Sequence, residues 1–208
     1  FTMPKFTTFI SEAVDNKNFT FVTKDATTVN VTANTAYFDG LEIYQGIPSS
    51  FGYTYNSTTN PKAIFSIADK NIDTGTLTVS VQESSTNLVS QTFLQASDYL
   101  TLEPSSLVYF LQEGLNNNYE VYFGDGILGN KPISNNIVEI EYVYAAGTIT
   151  NGADSFFAAD GISGAIIQTP VTVTKSYGAS ARESIDSIRY NAPFTFVSQN
   201  RAVTSDDY

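Results

Sequence analysis

The sequence predicts a mainly β protein, with antiparallel, sandwich-like sheets and one short helix near the C-terminus. Three observations lead there. Of 208 residues, 42% are hydrophobic and only 15% are charged, with 13 Tyr and 15 Phe. Abundant Thr, Val and Ile join these aromatics, and such residues favour strands, whereas the equally common Asn and Ser favour turns. Several runs alternate apolar and polar side chains with period two, the pattern of a half-buried strand. A Ser followed three residues later by Glu, the pattern of a helix-opening capping box, introduces a helix-spaced apolar pattern near the C-terminal end.

Residues 1–40 read as short strands. Runs 19–23 and 28–32 alternate and are separated by the polar residues 24–27. Residues 41–55 follow, with Gly40, Gly46, Pro48 and Gly52 as punctuation. Their aromatics (Tyr44, Phe51, Tyr53, Tyr55) read as core packing at strands and corners, the alternative being an exposed platform for a sugar. A loop begins at Asn60 and Pro61, and residues 64–67 resume a strand. Residues 76–82 give the cleanest alternation, with Leu77, Val79 and Val81 inward. Residues 83–87 form a polar turn. Residues 88–103 stay ambiguous, with Phe93, Leu94, Tyr99, Leu100 and Leu102 as their apolar positions.

The organising stretch is 106–113 followed by 119–130. In 119–123, Tyr119, Val121 and Phe123 share one face and Glu120 and Tyr122 the other. Gly124, Gly126 and Gly129 then fall within six residues around Asp125, so the backbone can take positive φ without a Cβ clash. We expect a structural turn at Gly124, Asp125, Gly126 and Gly129, forming a hairpin corner. The same glycines match the G-x-G-x-x-G dinucleotide fingerprint. That motif needs a helix N-terminus to receive the phosphates, whereas Asn130, Lys131 and Pro132 follow here.

Residues 137–144 place Val138, Ile140, Tyr142 and Tyr144 on one face and Glu139 and Glu141 on the other. Residues 145–164 read as a long loop and 171–174 as a last strand. The helix is expected over 181–190, capped by Ser180 and Glu183. Ala181, Ile185 and Ile188 share a face, and Pro193 sets the limit because it restricts the preceding residue. Three regions result: an N-terminal β region (1–92), a second β region carrying the glycine turn (93–180), and a helix with a linker into a following domain (181–208).

Charge and composition remove many function classes. Lys and Arg number 10 against 21 Asp and Glu, a formal net charge of -11. With no basic cluster to replace phosphate counterions, no nucleic-acid partner is expected, and no anionic membrane surface. No apolar run approaches the ~20 residues needed to span a bilayer. There is no Cys and no His, which excludes disulfides, thiolate metal sites, His-ligated zinc and His-based triads. The missing cysteines suit a reducing compartment. No cofactor and no metal site is expected. The chain starts at Phe1 without an initiator Met or a signal-peptide pattern, and reads as an internal piece of a longer protein.

Paired carboxylates are the catalytic design left open. Glu139 and Glu141 share a strand face and could form an acid–base pair, although such a face is more often simply solvated. Asp125 reads as bonding its own turn. Asp154 and Asp160 lack EF-hand spacing, and Ser163 is not in a nucleophile elbow. The sequons at Asn18, Asn30 and Asn56 matter only in a eukaryotic secretory pathway. We therefore expect no enzyme.

Two segments together carry a resemblance. One is Val108 to Glu113 followed by the run from Tyr119 to Gly129. The other is Glu183 to Pro193 followed by Arg201, Ala202, Val203 and Thr204 and the final residues 205–208. Both resemble the baseplate J-like proteins of contractile-tailed phages, and the 107–113 segment is most similar to the T-even type of wedge subunit. The opening from Met3 to Thr23 is similar to the strand pair that begins the family's β region, while 24–92 match only loosely. The resemblance implies a structural role in a tail baseplate wedge without catalytic residues. It also implies a location in the virion after synthesis in the bacterial host cytoplasm. The implied partners are other wedge subunits, with a homodimer or higher homo-oligomer in a ring around the hub that rearranges on contraction. The alternative is a carbohydrate- or receptor-binding β module of a phage tail.

Overall fold

The computed structural model describes residues 1–12, 14, 16–97, 101–114, 118–159, 161–162, 165, 168–180 and 183–198. The strands are β1 (Thr2–Met3), β2 (Thr8–Ser11), β3 (Thr20–Thr23), β4 (Thr27–Thr28), β5 (Val31–Thr32), β6 (Thr35–Ala36), β7 (Ile43–Gln45) and β8 (Ile47–Thr54). They continue with β9 (Ile64–Ile67), β10 (Ile72–Gln82), β11 (Ser90–Gln95), β12 (Val108–Glu113), β13 (Tyr119–Phe123), β14 (Ile137–Tyr144) and β15 (Phe156–Ala158), and the helix is α1 (Ile185–Ser198). The protein is mainly β, as predicted, with one short C-terminal helix among the described residues.

Seven strands form one sheet in the order β8-β14-β10-β11-β12-β13-β9. All neighbours are antiparallel except β11 and β12, which are parallel. The sheet curls until its two edges approach: Tyr53 on β8 packs on Phe65 of β9, ring centroids 5.5 Å apart. Inward side chains from six of its strands fill one core, including Phe65, Val79, Phe93, Tyr109, Val121 and Ile140. The expected alternation on β10, β13 and β14 holds, and Leu77, Val79, Val81, Val121, Phe123, Val138, Ile140 and Tyr142 are buried. Tyr144, expected on the same face, is exposed because β14 leaves the core there. Residue 92, the expected boundary between two β regions, lies in β11 near the middle of this sheet.

A four-stranded sheet, β15-β2-β3-β7, packs around Met3, Phe9, Phe21, Ala153, Phe156 and Ile162. The expected loop 145–164 thus contains a strand. β15 pairs with β2, and Phe156 meets Phe21 edge-on at 4.9 Å. Three residues are too few to show a period. The predicted strand at 28–32 is also broken: Thr28 ends β4, and Val31–Thr32 pairs with Thr35–Ala36 as a small hairpin. Its corner residues Ala33 and Asn34 have φ of 49° and 62°, the double positive φ that matches strand twist in a two-residue turn.

Residues 171–174, expected as the last strand, pair with no strand among the described residues; Val171 and Val173 point into solvent. The helix is displaced from 181–190 to Ile185–Ser198 and runs through Pro193. Its cap is Ser184 rather than Ser180: the Ser187 amide donates to Ser184 Oγ at 3.2 Å. Ser180 is exposed outside the helix. Glu183 accepts from Ser187 Oγ (2.6 Å) and Asn191 Nδ2 (3.0 Å). The cap lies where a hydroxyl can reach a free first-turn amide, and a Pro in mid-helix loses a hydrogen bond and crowds the carbonyl four residues back, which can kink a helix rather than end it. Ala181, Arg182 and 199–208 lie outside the described residues.

Candidate functional site

The glycine turn is built by close backbone contact. A Cβ on Gly124 would lie 2.4 Å from the carbonyl carbon and oxygen of Gly129 and from the Leu128 oxygen. Gly126 and Gly129 have φ of 91° and 86°, which favours glycine. The Gly126 amide donates to Gly129 O at 3.1 Å, and Asp125 Oδ1 accepts from the Ile127 (2.8 Å) and Leu128 (2.9 Å) amides. Gly129 donates to Glu103 O at 3.1 Å and Asn130 to Ser106 O at 2.8 Å. Four consecutive N–H groups, 126 to 129, are therefore engaged within the chain. A phosphate cradle needs such groups free, and β14 rather than a helix follows. The Leu128 and Ile127 amides hold the Asp125 carboxyl below the usual carboxylate range.

The turn does not close a hairpin, because β13 pairs with β12 and β9, not with β14. The chain instead crosses one end of the curled sheet to reach β14. On the way Ser134 Oγ meets the Ser57 amide and hydroxyl, and the Asn135 amide donates to Tyr55 O. Asn136, buried, accepts from the Ile133 amide and donates to Glu83 O, both at 2.8 Å. This crossing segment therefore ties together loops 55–63 and 83–89, a role that its polar sequence did not disclose.

The two strand carboxylates have different surroundings. Glu139 is exposed, whereas Glu141 Oε2 lies 2.6 Å from Lys5 Nζ. Glu141 is thus one half of an ion pair between the N-terminal segment and β14. Asp154 pairs with Lys175 at 2.9 Å. Asp160 and Ser163 lie outside the described residues. Among the described residues, no three of His, Cys, Asp or Glu are placed to hold a metal. No described helix is long and apolar enough to cross a membrane.

The aromatics of the 41–55 stretch do not form a common platform. Tyr55 is 1% exposed in the core. Phe51 is half-buried and meets Tyr53 at 5.0 Å and Tyr142 at 6.2 Å, edge-on. Tyr44 lines a separate cleft of about 270 Å³ with Asp25, Phe38, Asp39, Leu41 and Glu42. Burial first, and the hydrogen bond to Glu42 second, push the Tyr44 phenol above its ordinary pKa. Burial likewise raises Tyr142, helped by its bond to Asp69.

No protein-family model matches the chain. Over its whole length, aligned across 232 positions, it is 27% identical to the baseplate wedge protein gp6 of Enterobacteria phage T4. The chain is a relative of a phage baseplate wedge protein. It spans 34% of that relative's length. The match takes in both the glycine turn and the helix, the two places where the sequence resembles wedge subunits.

Proposed function

We propose that this chain is a structural part of a phage tail baseplate wedge, carried in the virion. It assembles with other wedge subunits and with further copies of itself, and takes part in closing the baseplate ring around the hub. The observation that supports this reading is the similarity to a baseplate wedge protein along the entire chain. The geometry agrees with a building block. The glycine turn spends its amides within itself and on the 103–106 loop, Glu141 is neutralised by Lys5, and Phe51 and Tyr55 pack toward the core. On this reading the protein is not an enzyme and needs no cofactor.

The test is co-expression of the wedge subunits with and without this 208-residue region, followed by sedimentation. The expected result is loss of wedges or of closed rings without this region. Rings that still close, joined by loss of host attachment, would favour the receptor-binding reading. Cleavage of host polysaccharide abolished by Glu139→Gln would favour an enzyme.

A further inference from the structure

We propose that residues 175–179 are a releasable clasp that fixes the C-terminal arm, including α1, to the N-terminal sheet. The clasp closes on residues 150–154. The Gly152 amide donates to Ser176 O and the Ser176 amide to Ala153 O, both at 2.8 Å. Ser176 Oγ accepts from the Ala153 amide (2.8 Å) and donates to Thr150 O (2.5 Å). Asn151 brackets the next turn: Nδ2 donates to Ala179 O at 2.8 Å, and Oδ1 accepts from the Ala179 amide at 3.2 Å. Lys175 and Asp154 add the ion pair at the outer end.

The two sides of this clasp differ. Residues 150–154 are rooted: Thr150 is buried, and Ala153 belongs to the N-terminal core with Phe156. Among the described residues, the other side has no such root. Val171 and Val173 are each 90% exposed and Tyr177 is 83% exposed. Beyond them α1 presents Ile185, Ile188, Tyr190 and Phe194 to solvent. The arm is held by polar contacts, and little apolar area is lost when they open. Segments with few buried apolar contacts open locally, well below the free energy of global unfolding. Amides of β13 and β14, between paired strands and under side chains with no exposure such as Val121, Val138 and Ile140, have no such route.

The clasp therefore defines two states. Closed, it fixes where α1 leaves the body, because only residues 180–182 separate Ala179 from Glu183, a reach of at most about 14 Å. Open, the arm from Lys175 onward is released while both sheets stay folded. A partner gripping α1 can then reposition it without breaking either core.

Native-state amide exchange on the 208-residue chain tests this. The amides of Gly152, Ala153, Ser176 and Ala179 should exchange as a group, about tenfold or more faster than those of Val121, Val138 and Ile140. Asn151→Ala and, separately, Ser176→Ala should quicken the group several-fold further and leave the β13 and β14 amides unchanged. The chain has no Cys, so a single dye on Asp186→Cys reports the arm, and its anisotropy should fall in both variants. Clasp amides that exchange in the wild type at the rate of β13 and β14 would overturn the proposal. So would variants that change only the amide losing its partner and leave the dye's anisotropy as it was.

Discussion

Tyr55 and Asp125 show how differently a polar group can stand in this fold. Tyr55 is 1% exposed, and its hydroxyl has no hydrogen-bond partner among the described residues. A buried hydroxyl left unpaired costs ~1–3 kcal/mol. Tyr55→Phe keeps the ring contact with Phe65 and removes that cost. It should leave stability unchanged or raise it by about 1 kcal/mol in urea unfolding; a clear loss would mean that the hydroxyl is bonded. Asp125 is the opposite case, a carboxylate saturated by its own turn. Its folded pKa lies below the ordinary value, so its contribution is present above the unfolded pKa, ~3.9. It is lost as the pH falls through the folded pKa. In an acid titration followed by NMR, the Ile127 and Leu128 amides should therefore keep their protection through the ordinary carboxylate range and lose it only below that range. In Asp125→Asn that acid step should disappear.

At the scale of elements, legibility follows local pattern. β10, β13 and β14 were readable because one face of each meets a continuous core and the other does not, so alternation survives in the sequence. β15 is not, since three residues carry no period and their partner β2 lies far off, near the start of the sequence. Residues 171–174 alternate as well as any true strand, yet they pair with no strand among the described residues; propensity needs a partner to become structure. β10 hides another feature. Its register against β14 shifts between Asp73 and Thr78. There the Thr76 hydroxyl accepts from the buried Val143 amide at 2.9 Å in place of a ladder bond. Of the candidate site, Asp125 bonding within its own turn was legible, while the crossing of the sheet's end was not, because it depends on distant partners such as Glu83 and Tyr55. The sequence leaves the helix boundary open because Ser180 and Ser184 both offer a hydroxyl, and only geometry decides between them. Ser184→Ala should destabilise the first turn of α1 by about 1 kcal/mol, whereas Ser180→Ala should not. Amide exchange at Ser187, compared in the two variants, separates them.

At the scale of the molecule, two sheets with separate cores must hold together, and the chain passes between them at Gly46. Gly46 joins β7 of the four-stranded sheet to β8 of the curled one. Its amide donates to Thr20 O at 2.9 Å, and its φ is 141°. A Cβ there would sit 2.3 Å from Tyr144 O and 2.5 Å from Val143 Cγ1. Backbone cannot yield as a flexible side chain can, so β14 would have to move. Beside it the Ala146 amide donates to Gln45 Oε1, and Lys5 reaches Glu141. The contacts between the sheets thus cluster around one strand end, with Gly46 packed against it. If this seam makes the sheets one cooperative unit, wild-type unfolding followed by far-UV and near-UV circular dichroism should give coincident transitions. Gly46→Ala should cost several kcal/mol, on the order of 2–4, through overpacking and unfavourable φ together. It should also separate the transitions, with the four-stranded sheet melting first because its core is the smaller. A variant that unfolds in one step near the wild-type midpoint would show that the seam tolerates a side chain and that the coupling lies elsewhere.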